Sequence, residues 1–137
     1  MKLVIDTSAI VAFLRSEPEA DAIETVLAEA DEIHVSAFTV FEARVVLARR
    51  FGPHASADFE LLLAKLQAEI APFDAEHAEL AADAYRRFGK GTGHPAQLNL
   101  GDCASYALAR HLELPLLFKG DGFERTDLRA VLGTGPS

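Results

Sequence analysis

Residues 3–11 read LVIDTSAIV, and the fold turns on how that stretch is divided. Leu3, Val4 and Ile5 form an unbroken apolar run, as in a short strand buried on both faces. The run stops on Asp6. Thr7 and Ser8 follow, and apolar character then resumes as a helix over 7–14, with Asp6 or Thr7 at its N-terminal boundary. A buried strand that passes straight into a helix is the opening of an α/β unit. It raises one question: why a strand bound for the core ends on a carboxylate with no cation beside it.

Working outward, the alternation continues. A helix is expected over 17–30, with Pro18 in its first turn. A strand follows over 33–36 and a helix over 37–50, ended by Gly52-Pro53. Another helix covers 54–68. The stretch 70–73 is a weak strand that Pro72 confines to an edge or an end. Asp74 caps a helix over 75–88, the loop GKGTGHPAQLN follows, and a helix over 100–112 leads to a strand at 116–118 and a GDG turn. Strands separated by helices predict an α/β protein: a central parallel sheet of four to five short strands between two layers of helices. No repeat, low-complexity tract or linker divides the chain, so residues 1–137 are expected to form a single domain.

Composition narrows the function. The chain is 50% hydrophobic and 25% charged, as in a soluble globular protein. Its one cysteine, Cys103, forms no internal disulfide, which points to a reducing, cytoplasmic setting and excludes a cysteine-rich metal cluster. The apolar stretch 9–14 is far shorter than the ~20 residues of a membrane span. A net charge of −8 repels phosphate polymers at long range and argues against broad, sequence-indifferent nucleic-acid binding. A narrow site escapes that argument, because bound divalent cations reverse the local field.

Parallel sheets bind ligands beyond the carboxyl ends of their strands. Asp6 ends the first strand and Asp121 lies just past the last. Each has a plainer role, Asp6 as a helix cap and Asp121 as a turn acid. Asp102 suits the positive end of the helix that Asn99 caps. Glu42 is harder to explain this way. The apolar stripe of its helix is read as Phe38, Phe41, Val45 and Ala48, and helical spacing sets Glu42 on the edge of it. Carboxylates gathered near one another repel, by about 4 kcal/mol for two charges ~4 Å apart at an effective dielectric near 20. Either protons or a divalent cation must offset that, and hard oxygen ligands favour Mg²⁺ or Mn²⁺.

VIDTSA, the glutamate of FEAR, GKGTGHPAQLNLGDCASYALA and LLFKGDGFERTDL together resemble the PIN-domain ribonucleases, in particular the VapC toxins of bacterial toxin–antitoxin pairs. The resemblance covers nearly the whole chain, and HPAQLNLGDCASYALA is its most specific piece. It implies a PIN-like α/β/α fold and an acidic pocket of Asp6, Glu42, Asp102 and Asp121 holding one or two Mg²⁺ or Mn²⁺ ions. It further implies an endoribonuclease, a homodimer, and silencing by a cognate VapB-type antitoxin. The chain departs from the pattern at Gly122, where many relatives carry a second polar residue. Asp127 is an outer acid or, as the preferred reading, a cap.

On this reading Asp6 and Asp102 bind the main ion with Asp121 close by, and Glu42 orients or deprotonates the attacking water or ligates a second ion. Thr7 and Ser8 support a carboxylate or a metal-bound water, or only cap the helix. Lys119, Arg86, Arg87 and Lys90 are candidate phosphate contacts. The five histidines show no zinc spacing. Three rivals remain. A haloacid-dehalogenase-type phosphatase needs a second aspartate where Ser8 stands. A receiver-like regulatory domain needs an acidic pair after the first strand. The third is a PIN-like fold kept only for binding.

Overall fold

The computed structural model describes residues 1–132. Ten elements alternate as the sequence indicates: β1 (Lys2–Ile5), α1 (Thr7–Leu14), α2 (Ala20–Glu29), β2 (Glu32–Ser36), α3 (Ala37–Phe51), α4 (Pro53–Leu66), β3 (Glu69–Ala71), α5 (Ala75–Phe88), α6 (Leu100–Leu112) and β4 (Leu116–Leu117). The four strands form one sheet in the order β3-β2-β1-β4. Every pairing is parallel: Leu3 lies opposite Ile33, His34 opposite Glu69 and Ile5 opposite Leu117.

Alternation along β1 separates the two cores. Leu3 and Ile5 pack with Ile10 and Ala12 of α1, Ile23 of α2, Leu47 of α3 and Phe59 of α4. Val4 faces the other way, toward Ala84 and Phe88 of α5 and Tyr106 and Leu108 of α6. The sheet is therefore covered on both faces, which is why LVI is continuously apolar. The crossovers from β1 to β2 and β2 to β3 carry α1–α4, and the return to β4 carries α5 and α6. The chain thus leaves in opposite directions on either side of β1, and the crevice at its carboxyl end is the switch point where such sheets bind ligands.

Three boundaries differ from expectation. The second helix starts at Ala20, with Glu19 as its N-cap, so Pro18 precedes the helix instead of opening it. Its place is taken by a turn in which Glu17 N–H donates to the Ala12 carbonyl. β3 is three residues long and stops before Pro72, at the edge of the sheet. At the opposite edge β4 spans two residues, and its outer side is bridged by Leu116 to Ala130.

The buried side of α3 also differs. It is Thr39, Val40, Ala43 and Leu47, whereas Phe41 is 63% and Val45 40% exposed. With apolar residues on most sides of AFTVFEARVVLARRF, periodicity alone does not single out one stripe. Gly52 ends α3 at φ +90°, a conformation costly for any side chain, and starts α4 directly behind it.

Candidate active site

β1 delivers Asp6 to the carboxyl edge of the sheet, where its backbone N–H still bonds the Leu117 carbonyl of β4 at 3.0 Å. The side chain is 1% exposed. It does act as the α1 N-cap: Oδ2 accepts from Ser8 N–H at 3.0 Å and from Ser8 Oγ at 2.7 Å. Oδ1 accepts from Ser105 Oγ at 2.5 Å, and that hydroxyl lies 3.2 Å from Thr39 Oγ1 of α3. Capping and display are thus one arrangement. Three hydrogen bonds from two elements fix the carboxylate without neutralising it.

α3 brings Glu42 to the same place. Thr7 Oγ1 donates to Glu42 Oε1 at 2.6 Å. α6 brings Asp102 through a capping box, in which Asp102 N–H donates to Asn99 Oδ1 at 2.8 Å and Asn99 N–H donates to Asp102 Oδ2 at 2.9 Å. Asp6, Thr7, Ser8, Glu42, Asn99 and Asp102 line one open pocket of about 350 Å³. Gly101 lets α3 and α6 approach there, since a Cβ at that position would run into the Glu42 carboxylate.

The electrostatics are unbalanced. Among the described residues, no cationic nitrogen lies within 4.0 Å of Asp6, Glu42 or Asp102, although twelve such pairs occur elsewhere. Burial pushes the Glu42 carboxyl above its ordinary range, with the Asp6 charge adding and the Thr7 hydrogen bond opposing. Burial and then the Asp6 charge raise Asp102 to about 7, against the Asn99 N–H. These oxygens form a hard, anionic donor set suited to a divalent cation.

Of the remaining sequence candidates only Lys119 lines this pocket. Asp121 does not line the pocket. It stands exposed beyond Gly120, its carboxylate 3.7 Å from Arg125. Gly122 opens a short 3₁₀ turn, Phe123–Arg125. Asp127 is neither a pocket acid nor a cap: it accepts from Tyr106 OH at 2.7 Å and pairs with Arg87 and Arg110 at 3.4 and 3.7 Å. Arg86 and Arg87 lie outside the pocket, paired with Asp83 of their own helix. Lys90 is exposed, and its charge reaches Asp102. Lys119 lines the pocket, but its ammonium is taken by Glu17.

Four contributors went unread in the sequence: Gly101, Ser105, Glu17 and Arg50, the last two also lining the pocket. Ser105 carried a signal, being the hydroxyl three residues after Asp102 on a helix otherwise apolar around it. A second metal-capable group, Glu32, His34 and Glu69, has ligand atoms within 4.8 Å of one another, but it sits toward the amino ends of β2 and β3, across the sheet from the pocket.

Residues 3–128 match the PIN domain family. The chain is 43% identical over 129 residues to Ribonuclease VapC of Mycolicibacterium smegmatis, a match spanning 94% of this chain and 99% of that protein. Its fold is similar to the crystal structure of VapC20 of Mycobacterium tuberculosis, a sarcin-ricin loop cleaving toxin, with TM-score 0.79, 16% identity, and 94% and 98% of the two chains covered. A DNA-bound VapBC structure from Salmonella typhimurium is also similar, with TM-score 0.69, 17% identity, and 95% and 96% covered.

Proposed function

The chain belongs to the PIN-domain family, and on that premise we propose that it is the toxin of a type II toxin–antitoxin pair, a metal-dependent endoribonuclease that hydrolyses RNA phosphodiester bonds in the cytoplasm. The observation that carries this reading is the convergence of Asp6, Glu42 and Asp102, from three separate elements, in one pocket where, among the described residues, none of the three has a cationic nitrogen within 4.0 Å.

The donor set fits Mg²⁺ or Mn²⁺, with Asp6 and Asp102 as its holders and Glu42 beside them. Such an ion supplies an activated water and neutralises the phosphate and the departing oxygen. The protein's own groups do the rest. Ser8 and Ser105 keep the Asp6 carboxylate in one orientation, and the Asn99 N–H does the same for Asp102. Glu42, held through Oε1 by Thr7 and made more basic by burial, takes the proton of the attacking water. Asp121, on its exposed loop, is an outer acid in this scheme.

Two protein partners complete the reading. A VapB-type antitoxin covers the pocket, as the family relationship and the similar VapBC fold support. A second copy of this chain covers Phe41, Val45 and Leu100, exposed apolar residues that line one hollow beside Glu42. The test is cleavage of cellular RNA with Mn²⁺ or Mg²⁺ and with chelator, using wild type and Asp6→Asn. Cleavage that needs the ion and is lost in the variant is the expected result. Equal fragment patterns from both proteins would remove the assignment.

A further inference from the structure

Glu42, Val46 and Arg50 follow one another at spacings of four on α3, so they form one row along the pocket wall. Arg50 closes that row with a cation where Glu42 opens it with an acid. Across the pocket, Lys119 follows β4, and its backbone N–H donates at 2.9 Å to Ser8 Oγ, the hydroxyl that also bonds Asp6. Lys119 is therefore tied through one hydroxyl to the carboxylate at the centre of the site. Its ammonium is held by Glu17, in the turn before α2. Among the described residues no carboxylate lies within 4.0 Å of the Arg50 guanidinium, which is near enough to Lys119 for the two charges to repel.

Two cations line one acid-floored pocket, Arg50 with only the Phe51 ring, 5.3 Å away, against its guanidinium among the described residues and Lys119 carrying a displaceable carboxylate, and an anion between them would relieve their repulsion. We propose that Arg50 and Lys119 form a cleft for an RNA backbone phosphate next to the scissile one, and that Glu17 occupies Lys119 until this phosphate displaces it. The proposal rests on the ribonuclease reading for its substrate. It goes beyond that reading by assigning Arg50 and Glu17 opposite effects on the same binding step. Arg50 and Lys119 attract the phosphate. Glu17 competes with it and so weakens RNA binding while steadying the empty cleft.

Binding is measured separately from cleavage so that the two readings fail separately. In the Asp102→Asn background, fluorescence anisotropy gives the Kd for a short mixed-sequence single-stranded RNA across a salt series, alongside thermal melts of each protein. Arg50→Ala and Lys119→Met should each weaken binding by about tenfold. Each should also reduce the salt slope by about 0.7. Glu17→Gln should tighten binding, and the gain should vanish when Lys119→Met is added. In the otherwise wild-type enzyme, KM should rise more than kcat falls for the two cation variants. Unchanged Kd in folded Arg50→Ala and Lys119→Met proteins, or no tightening in Glu17→Gln, overturns the cleft even where wild type cleaves RNA with Mn²⁺. Absence of cleavage by wild type alongside these Kd shifts overturns the reaction and supports the cleft.

Discussion

The two ends of the sheet carry similar chemistry and treat it in opposite ways. At the amino ends of the strands, Glu32 meets Lys2 and His34, each at 3.0 Å, Glu69 lies 3.5 Å from His34, and Asp31 is bonded to the chain's amino terminus at 2.6 Å. At the carboxyl ends, Asp6, Glu42 and Asp102 receive only neutral donors. Glu32 and Asp31, paired within the chain, have their ordinary titration lowered by those partners, whereas burial first, and then the Asp6 charge, raises it at Glu42 and Asp102. The difference separates a structural charge cluster from a site: the first is balanced within the chain, the second only from outside it.

The comparison breaks most visibly through activity. Asp102→Asn should lower RNA cleavage by more than about 100-fold, beyond what loss of an outer partner of a metal ligand usually costs. Glu69→Ala, at the other end, should leave the rate within about a factor of two, because an exposed ion pair contributes only about 0–1 kcal/mol even to stability. A comparable loss in both variants, measured on the same RNA, would mean that the two ends are not distinct.

Gly101→Ala comes next. A methyl there displaces the Glu42 carboxylate while leaving its chemistry intact. Cleavage should fall by up to about 100-fold, the cost that misplacement of about 1 Å can carry. Mn²⁺ affinity, read by calorimetry, should change less.

Stability gives a smaller contrast with a definite sign. Asp102 titrates near 7 in the folded protein and near 3.8 as an unperturbed carboxyl. Folding therefore favours its protonated form. Its contribution is fully present below the unfolded value and is lost as pH rises through about 7. In chelator, wild type should melt at lower temperature at pH 8 than at pH 5.5. Asp102→Asn should flatten that dependence and melt above wild type at pH 8, although it is inactive. Added Mn²⁺ should restore the wild-type melting temperature at pH 8 and do less for the variant.

Asp121→Asn is the smallest expected effect, a few-fold at most, because this carboxylate is exposed and faces Arg125 instead of lining the pocket. A loss as large as that of Asp102→Asn would add Asp121 to the group that the ion draws together.

Much of this was legible in the sequence, for physical reasons that also mark where legibility ended. LVI followed by an acid identifies a buried strand and its carboxyl end, and Asn99 with Asp102 spells a capping box, because both depend on neighbours in the chain. The position of Asp121 depends instead on where a two-residue strand stops and on Gly120 at φ +109°. Glu17 reaches Lys119 across 102 residues, and Ser105 reaches Asp6 across 99. No local pattern encodes such meetings. The burial of α3 was misread because Phe41 and Val45 are as apolar as the Val40 and Leu47 that face the core.

One modest feature reaches furthest, the treatment of the sheet's margins. β3 is three residues long and meets Pro72, and the free flank of β4 is bonded to residues 129–131. An incoming extended peptide thus finds almost no row of unsatisfied amides to zip onto. Such short margins disfavour self-association by strand addition. Among the described residues, the surfaces open to a polypeptide include the acidic pocket and the exposed apolar residues Phe41, Val45 and Leu100 of α3 and α6.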